Sequence, residues 1–548
     1  MRIITISFLA VILFTGCKKQ LDIKNTNEPS PEGAATEAGV ISLSTGAIYR
    51  NGFFDLKYSD GVYGRFWAGA TGFHEMMGDI IGVEAANAYI NQIGCPNKVT
   101  LDNGSVVLNP SAVNTQYALL RSVNFNSQSG SNPGFYEWAY MYNMIIAANT
   151  VLDLSGKAAY SGADAASKKA TVNAWAYWWK GYAYARIGSL YYAGIKQNAT
   201  FSDQSTNGNY LSKEAIIAES NTNFDACDAA LTSATSTTAY TATLGKIIPS
   251  FLQMGKGGVF TVASWKRNIS TMKARNILVN TLASAMTTTQ WTSILNLTMN
   301  GIQANDFVFT GRTNPNGDFL STTITDKVAS SASGTGTYKL SERFIQEFNA
   351  GDKRFTNNIR TLNPGIGIFN QDRGNSFNTR YTLRDGGNGL AGVIVYANST
   401  VGANEITLCG TYEENELMKA EAILNIGSFS AASITSAMAL VDNVRNYQGA
   451  GLAPTVAATA ASAREELRRE RRIALAFKGL SFYDARRWDI IDPSKSRTGA
   501  VVLAGTAGTL NTNATINYGF LDYWDVPDNE LAYNPAAAGS APVKNPKQ

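Results

Sequence analysis

Apolar and small residues recur at helical spacing over long stretches, separated by segments rich in glycine and polar residues. This spacing predicts helices over 137–154, 165–192, 211–231, 266–286, 413–427 and 430–448, and a shorter one over 40–52. The segments 51–109 and 290–412 show no sustained helical period and predict loops with short strands. The pattern favours a mostly α protein, with a helical scaffold over about 137–288 and 411–490.

One predicted helix has small residues at spacings of three and four along a single face. Ala174, Gly181 and Gly188 belong to this series, and aromatic residues lie between them. Small side chains let a second helix approach closely. Such packing is typical of tetratricopeptide-type helix pairs, whose repeats are about 34 residues long.

The stretch 464–488 carries the densest charge in the chain. Five arginines and three glutamates lie between positions 464 and 472. Ser462 with Glu465 predicts a capping box, and good helix formers continue to Gly479. Three interpretations are open: a solvated helix with surface ion pairs, a basic patch for nucleic acid, or a packing element with a buried pair between Asp484 and Arg487. The interleaved glutamates disfavour nucleic acid.

Composition excludes several classes of function. The formal net charge is +4 and charged residues make up 16% of the chain, which gives no basis for nucleic-acid binding. His74 is the only histidine, so a multi-histidine metal site cannot form. Cys95, Cys227 and Cys409 show no paired spacing; we expect buried thiols, with one disulfide as the alternative.

Nucleotide-binding and hydrolase motifs are mostly missing. The sequence contains no GxxxxGK[ST], HExxH or GxSxG. One GxGxxG lies at 387–392, but the following residues 393–396 predict a strand where a dinucleotide site requires a helix. A glycine-rich turn is the better interpretation. We therefore predict no catalytic residue, no metal and no cofactor.

The N-terminus has the pattern of an exported protein. A mostly apolar run over 3–14 fits a secretory h-region and is too short to span a membrane at roughly 20 residues. Small residues just before Cys17 resemble a lipoprotein signal. We predict a signal peptide over 1–16, Cys17 as the lipid anchor, and a polar tether over 17–31. An ordinary signal peptide is the alternative.

Several motifs, in order, resemble the SusD-like (RagB/SusD) family of outer-membrane glycan-binding lipoproteins. They are Asp352-x-Arg354, Leu417-x-x-Ala420-Glu421-Ala422, Leu467-x-x-Glu470-Arg471, Asp484-x-x-Arg487-Trp488, and Pro527-x-x-Glu530-Leu531-x-x-Asn534-Pro535. The chain departs from the family pattern at Ala474 and Lys478, where glutamate is usual. The resemblance makes Glu470, Asp484 and Arg487 structural ion-pair residues, not ligand contacts.

The resemblance implies one large domain over 32–548, with tetratricopeptide-type helix pairs as its scaffold. It implies a lipid-anchored outer-membrane protein, facing the cell surface, that captures an oligosaccharide. The partner would be a SusC-like TonB-dependent transporter, which receives the sugar. Two rival functions stay open: peptide or protein binding on the same scaffold, and glycoside hydrolysis by a carboxylate pair. We expect a binding protein and not an enzyme.

Aromatic residues in the two loop segments are the candidate ligand contacts. Sugar rings present apolar C–H faces that stack on aromatic side chains, and neighbouring polar groups bind the hydroxyls. We predict ligand contacts at five residues: Trp67, Phe73, Asp79, Tyr381 and Tyr412. The competing interpretation is that such aromatics pack the loops onto the core.

Overall fold

The computed structural model describes residues 34–50, 70–83, 89–127 (apart from 112 and 114), 132–312 (apart from 204 and 205), 338–362 and 377–547 (apart from 399, 401 and 506). The predicted signal peptide, Cys17, the tether and Trp67 lie outside the described residues.

Helices form most of the regular structure, which confirms the mostly α prediction. In chain order they are α1 (Glu37–Leu43), α2 (Gly72–Met77), α3 (Ile90–Ile93), α4 (Gln116–Val123), α5 (Pro133–Lys157), α6 (Ala165–Leu190), α7 (Lys213–Ser233), α8 (Thr237–Ile247), α9 (Val262–Val279), α10 (Thr288–Met299), α11 (Glu342–Ile345), α12 (Lys353–Asn358), α13 (Tyr412–Ile426), α14 (Ala431–Tyr447), α15 (Ala460–Ala474), α16 (Ser481–Arg487) and α17 (Asp528–Leu531). A π-helix over Ser44–Arg50 continues α1.

Serine or threonine caps the start of most long helices. The hydroxyls of Ser212, Thr261, Thr411 and Ser430 each accept a backbone N–H from the first turn of the helix that follows. Each cap satisfies a donor that has no partner inside the helix. The helix starts are therefore set locally by the sequence.

Close helix packing occurs where the small residues of α6 predict it. A side-chain carbon at Gly181 would lie 2.6 Å from the ring of Phe224 on α7. At Gly188 it would lie 2.9 Å from Ile217. Because neither position has room for a larger side chain, the glycines set the approach of α7 to α6. Helices α5 and α6, and α13 and α14, form the other main pairs.

An aromatic cluster joins the loop before residue 312 to this scaffold. The Phe309 ring lies 4.1 Å from Trp178 and 5.1 Å from Trp179 of α6, and 5.7 Å from Trp265 of α9, measured between ring centroids. All three tryptophans are fully buried. Burial of rings this size anchors the loop firmly.

The strands are short and pair antiparallel. They are β1 (Ile81–Val83), β2 (Lys98–Thr100), β3 (Val106–Leu108), β4 (Ala193–Ile195), β5 (Tyr210–Ser212), β6 (Thr310–Gly311), β7 (Tyr338–Leu340), β8 (Ile359–Thr361), β9 (Phe377–Asn378), β10 (Tyr381–Leu383), β11 (Ile406–Thr407), β12 (Arg497–Ala504) and β13 (Thr509–Asn517). One sheet has five strands in the order β3-β2-β13-β12-β9, and the other four sheets described are pairs: β1-β7, β10-β8, β11-β6 and β4-β5.

Two local predictions are wrong, and one helix was not predicted. The unpredicted helix is α8, and the predicted loop region over 290–412 begins with α10. Residues 393–396 form no strand. Threonine and serine, which make these stretches resemble loops, instead cap the helices or bond to the preceding turn.

The GxGxxG segment is a turn, as predicted. Gly387, Gly389 and Gly392 all have φ near +75°, between +74° and +76°. Glycine adopts this conformation without the strain that other residues suffer. No helix opens from the segment, so it lacks the geometry of a dinucleotide site.

Helix α15 starts three residues before the predicted position. Thr459 is the N-cap, and Ser462 occupies the third position of the capping box in place of Glu465. The helix ends at Ala474, and a turn with Phe477 and Gly479 at positive φ follows. The capping box was therefore assigned one turn too late.

The predicted structural role of Glu470 agrees with its surroundings. Its carboxylate lies 2.5 Å from Arg354 Nη1 and 2.9 Å from Arg445 Nε, and all three side chains are buried. Asp352 pairs with Arg354 at 2.8 Å, as the Asp-x-Arg motif predicts. This network joins α12, α14 and α15.

A second buried network holds α16. Arg487 makes two bonds of 2.7 and 2.8 Å to the Glu421 carboxylate of α13. Arg487 Nε and Arg471 Nε both donate to Asp484, at 2.7 and 3.0 Å. The interpretation of the stretch 464–488 as a packing element with a buried pair between Asp484 and Arg487 is confirmed.

The three described cysteines are buried and form no disulfide with one another, which agrees with the expected packing role. Among the described residues, none of the helices combines the length and the apolar character needed to cross a membrane.

Glu470→Gln should lower the free energy of unfolding by about 3 kcal/mol, because it leaves two buried guanidinium groups without their shared counter-charge. Urea denaturation at neutral pH measures this. Glu465→Gln is the matched control on the same helix: its side chain is 47% exposed and pairs with Arg468, so the loss should stay under about 1 kcal/mol. Equal losses in the two variants would contradict the prediction.

Candidate functional site

A cleft of about 440 Å³ opens where the scaffold meets the loop segments. Its walls come from segments 302–312 and 394–407, the start of α13, the end of α14 and the turn after α15. The polar and aromatic side chains of its lining include Lys256, Asp306, Arg312, Tyr396, Glu405, Tyr412, Glu413, Tyr447, Gln448 and Lys478.

Two tyrosines form the aromatic wall of the cleft. Thr411 caps α13, so Tyr412 is the first residue of the helix and lies at its N-terminus. The Tyr412 and Tyr447 rings lie 4.9 Å apart in an edge-to-face arrangement. Burial raises the pKa of both phenols, with help from nearby glutamates. Both hydroxyls therefore stay protonated at neutral pH and can donate as well as accept hydrogen bonds.

The turn after α15 forms the facing wall. Phe477 has φ +67°, a conformation that costs energy for a bulky residue. The buried Glu75 carboxylate accepts the backbone N–H groups of Phe477 at 3.0 Å and Gly479 at 2.8 Å. These bonds hold the strained turn and so position Lys478 in the cleft. Burial raises the pKa of Glu75 to about 7.

The cleft joins the buried ion network through Gln448. Its amide nitrogen donates to Glu413 at 3.1 Å and to the Ala474 carbonyl at 3.0 Å. Its amide oxygen accepts from Arg354 at 3.1 Å. The polar floor of the cleft is thus braced against the same arginine that binds Glu470.

Every carboxylate that lines the cleft already has a cationic partner. Asp306 is held by Arg267, Glu405 by Arg312 at 2.7 Å, and Glu413 by Lys478 at 2.9 Å. These partners keep the pKa of Asp306 and of Glu413 below its usual range although burial opposes this. A general acid needs a raised pKa, so this arrangement favours binding over acid catalysis.

The described residues contain no group of three or more His, Cys, Asp or Glu side chains that could hold a metal ion. Aromatic rings beside amides and fixed charges are suited to bind a polar ring compound.

Tyr412 is the sequence-predicted residue that lines the cleft. Tyr381 does not line it; the side chain is half-buried on β10, 6.0 Å from the Phe355 ring and 5.4 Å from the Arg380 guanidinium. Two polar groups close to these tyrosines in sequence are engaged outside the cleft. Arg380 pairs with Glu342, and Glu414 pairs with Arg275.

Phe73 and Asp79 lie in the interior, in contrast to the expectation that they contact ligand. Phe73 is 2% exposed and its ring lies 6.2 Å from that of Trp524. Asp79 accepts two bonds from Arg343 and one each from Ser341 and Tyr518. Phe73 is buried, and Asp79 is both buried and fully paired, so both residues are structural. Helix α2, which contains Phe73, packs against α16.

Lys256, Tyr396, Tyr447 and Lys478 were not predicted from sequence. Lys256 lies in a serine- and threonine-rich connection, and Tyr447 ends a helix with an otherwise ordinary pattern. The sequence signal that points to Tyr447 is the position of Tyr412 at a capped helix start. Helix α14 packs against α13 and so brings a second aromatic residue beside Tyr412.

Solved structures with this fold include a SusD-like carbohydrate-binding protein from Bacteroides fragilis, at 15% identity and a TM-score of 0.58, over 92% of this chain and 99% of that one. A SusD superfamily protein from Bacteroides vulgatus shares 13% identity at a TM-score of 0.51, over 92% and 98%. A third structure with this fold was determined with a xylogluco-oligosaccharide. It shares 13% identity at a TM-score of 0.53, over 92% of this chain and 99% of that one.

Residues 284–538 match the model of the SusD family. Over this part the chain resembles the SusD family, and the described chain shares the fold of SusD-like proteins. The match covers the residues that line the cleft except Lys256, which precedes it in the chain. No curated protein matches the sequence.

The contribution of Glu75 to stability should fall as pH rises from about 4.5 to about 7. A folded-state pKa above the unfolded value means that the folded protein holds the proton more tightly, so the contribution is fully present below pH 4.5 and lost as pH passes 7. We expect the difference in unfolding free energy between wild type and Glu75→Gln to decrease from about pH 5 to about pH 8 in urea denaturation.

His74 is present in both proteins, so its own titration cancels in that difference. Asp153→Asn serves as the control, because the Asp153 carboxylate forms a partly exposed pair with Lys157. A wild-type-minus-Glu75→Gln difference that stays constant with pH would refute the prediction.

Proposed function

We propose that this SusD-like protein captures oligosaccharides in the cleft between α13, α14 and the turn after α15. The observation that carries the proposal is the pairing of Tyr412 with Tyr447 on one wall, beside polar groups held by fixed ion pairs. Aromatic faces bind the C–H faces of sugar rings, and groups that are already oriented lose little entropy on binding. A fold relative was determined with a xylogluco-oligosaccharide, which supports a sugar as the ligand class.

The protein then passes the oligosaccharide to a SusC-like TonB-dependent transporter in the outer membrane. The lipoprotein-like pattern ending at Cys17 and the polar tether over 17–31 support attachment at the cell surface. Two acyl chains give stable anchoring where one is marginal. Trp67 and Tyr381 remain proposed contacts.

A peptide-binding role is the second candidate, since the same tyrosines and amides could hold an extended peptide. Titration calorimetry of the purified chain, with a panel of oligosaccharides and a panel of peptides, separates the two. Sugar binding without release of shorter products supports the proposal. Binding of peptides alone would contradict it, and product release would favour a glycoside hydrolase.

Tyr412→Ala should weaken oligosaccharide binding about tenfold, because loss of one stacking ring costs about 1 kcal/mol or more. The melting temperature should change little, since the ring is only half-buried. Calorimetry and thermal denaturation measure the two effects. Tyr533→Ala is the control: this tyrosine is 76% exposed and lies outside the cleft. A large fall in melting temperature with unchanged affinity would assign Tyr412 to the core.

Cys17→Ala should move the protein from the membrane fraction to the soluble fraction, because the variant has no thiol to acylate. Fractionation and immunoblotting after expression in a host with lipoprotein processing measure this. Cys95→Ala is the control, since that thiol is buried in the folded domain. Retention of Cys17→Ala in the membrane fraction would contradict lipid anchoring.

A further inference from the structure

The pairing of the cleft carboxylates leaves one lining cation, Lys256, without an ion-pair partner among the described residues. The carboxylates of Asp306, Glu405 and Glu413 each pair with Arg267, Arg312 or Lys478. Lys256 is the remaining charged residue in the lining. In the part of the chain that the structure describes, no carboxylate pairs with its ammonium group.

The Lys256 ammonium is held at the aromatic wall. It donates to the Ala304 carbonyl at 2.6 Å and lies 4.9 Å from the centroid of the Tyr447 ring. The Lys256 backbone N–H donates to Glu405 at 3.0 Å, which fixes the main chain at this point. An ammonium carries three donors, and one carbonyl accepts only one of them.

A half-buried cation with unused donors makes a carboxylate the favoured ligand group. Removing charge from water is costly unless an opposite charge arrives, and bonds between ionised groups are about twice as strong as neutral ones. A single unpaired cation matches separated carboxylates better than the dense charge of a polysulfated chain. The neighbouring Tyr447 ring would contact the sugar that carries the carboxylate.

We propose that the cleft selects acidic oligosaccharides, with Lys256 binding the carboxylate of a uronic acid unit beside the Tyr447 ring. This inference rests on the proposed function, because it assigns the substrate class of the same cleft. Lys256 is then the specificity residue, and Tyr412 and Tyr447 supply contact that charged and neutral sugars share.

The test compares matched pairs of ligands that differ only in charge. The full chain is titrated with oligogalacturonate, oligomannuronate and a hyaluronan oligosaccharide, and with the carboxyl-reduced form of each. At least one acidic oligosaccharide should bind about tenfold more tightly than its reduced form. Raising the salt concentration from about 50 mM to about 500 mM should shrink this ratio, because screening weakens a partly exposed pair.

Lys256→Gln should reduce the ratio to within about twofold, while affinity for the reduced forms changes little. Lys256→Arg keeps the charge and should retain most of the preference. Lys246→Gln is the matched control, because Lys246 is an exposed lysine on α8 outside the cleft. Thermal denaturation of each variant confirms that it is folded.

Each outcome separates the two proposals. Equal binding of acidic and reduced forms, or binding of neutral sugars alone, would overturn the acidic preference and leave oligosaccharide capture standing. A preference that survives in Lys256→Gln would overturn the role of Lys256. Failure of every acidic oligosaccharide to bind would overturn the acidic preference, whereas binding of peptides alone in the calorimetry that compares sugars with peptides would overturn both proposals.

Discussion

The buried carboxylate of Glu470 is the interaction on which the rest of the domain depends. It neutralises Arg354 and Arg445, and Arg354 in turn binds Gln448 at the floor of the cleft. Burying a charge is costly unless its partner is placed accurately, so such a network permits few alternative packings. The charged side chains that join the helices of the scaffold therefore also hold Gln448, a polar group of the candidate site.

The cleft combines a rigid frame with a strained edge. Helices α13 and α14 present Tyr412 and Tyr447 from capped, closely packed ends. In the facing turn Phe477 has positive φ, and the Glu75 carboxylate holds this conformation by accepting the backbone N–H groups of Phe477 and Gly479. Strain of this kind persists where surrounding contacts over-determine it, and it is common at ligand sites. A preorganised wall on each side reduces the entropy lost on binding.

Much of the fold could be predicted because its signals are local. Apolar spacing predicted the long helices, and the small residues of α6 predicted a close helix approach, which α7 makes. Helices α8 and α10 escaped prediction because threonine and serine favour turns as well as helix caps. The site was harder: Tyr412 lines the cleft, whereas Phe73 and Asp79 are buried. Aromatic residues in glycine-rich sequence have the same pattern whether they pack inward or face a ligand.

The sequence by itself determined the helical class, because apolar periodicity is local. The family motifs implied the ion-pair roles of Glu470, Asp484 and Arg487, and the tertiary structure supplied partners from other helices. Only the tertiary structure decided which charges remain unneutralised. Lys256 meets Tyr447 across nearly two hundred positions of the chain. No carboxylate of the described residues pairs with Lys256, because those of the cleft pair with Arg267, Arg312 and Lys478. Such a balance depends on distances in space, which spacing along a chain does not encode.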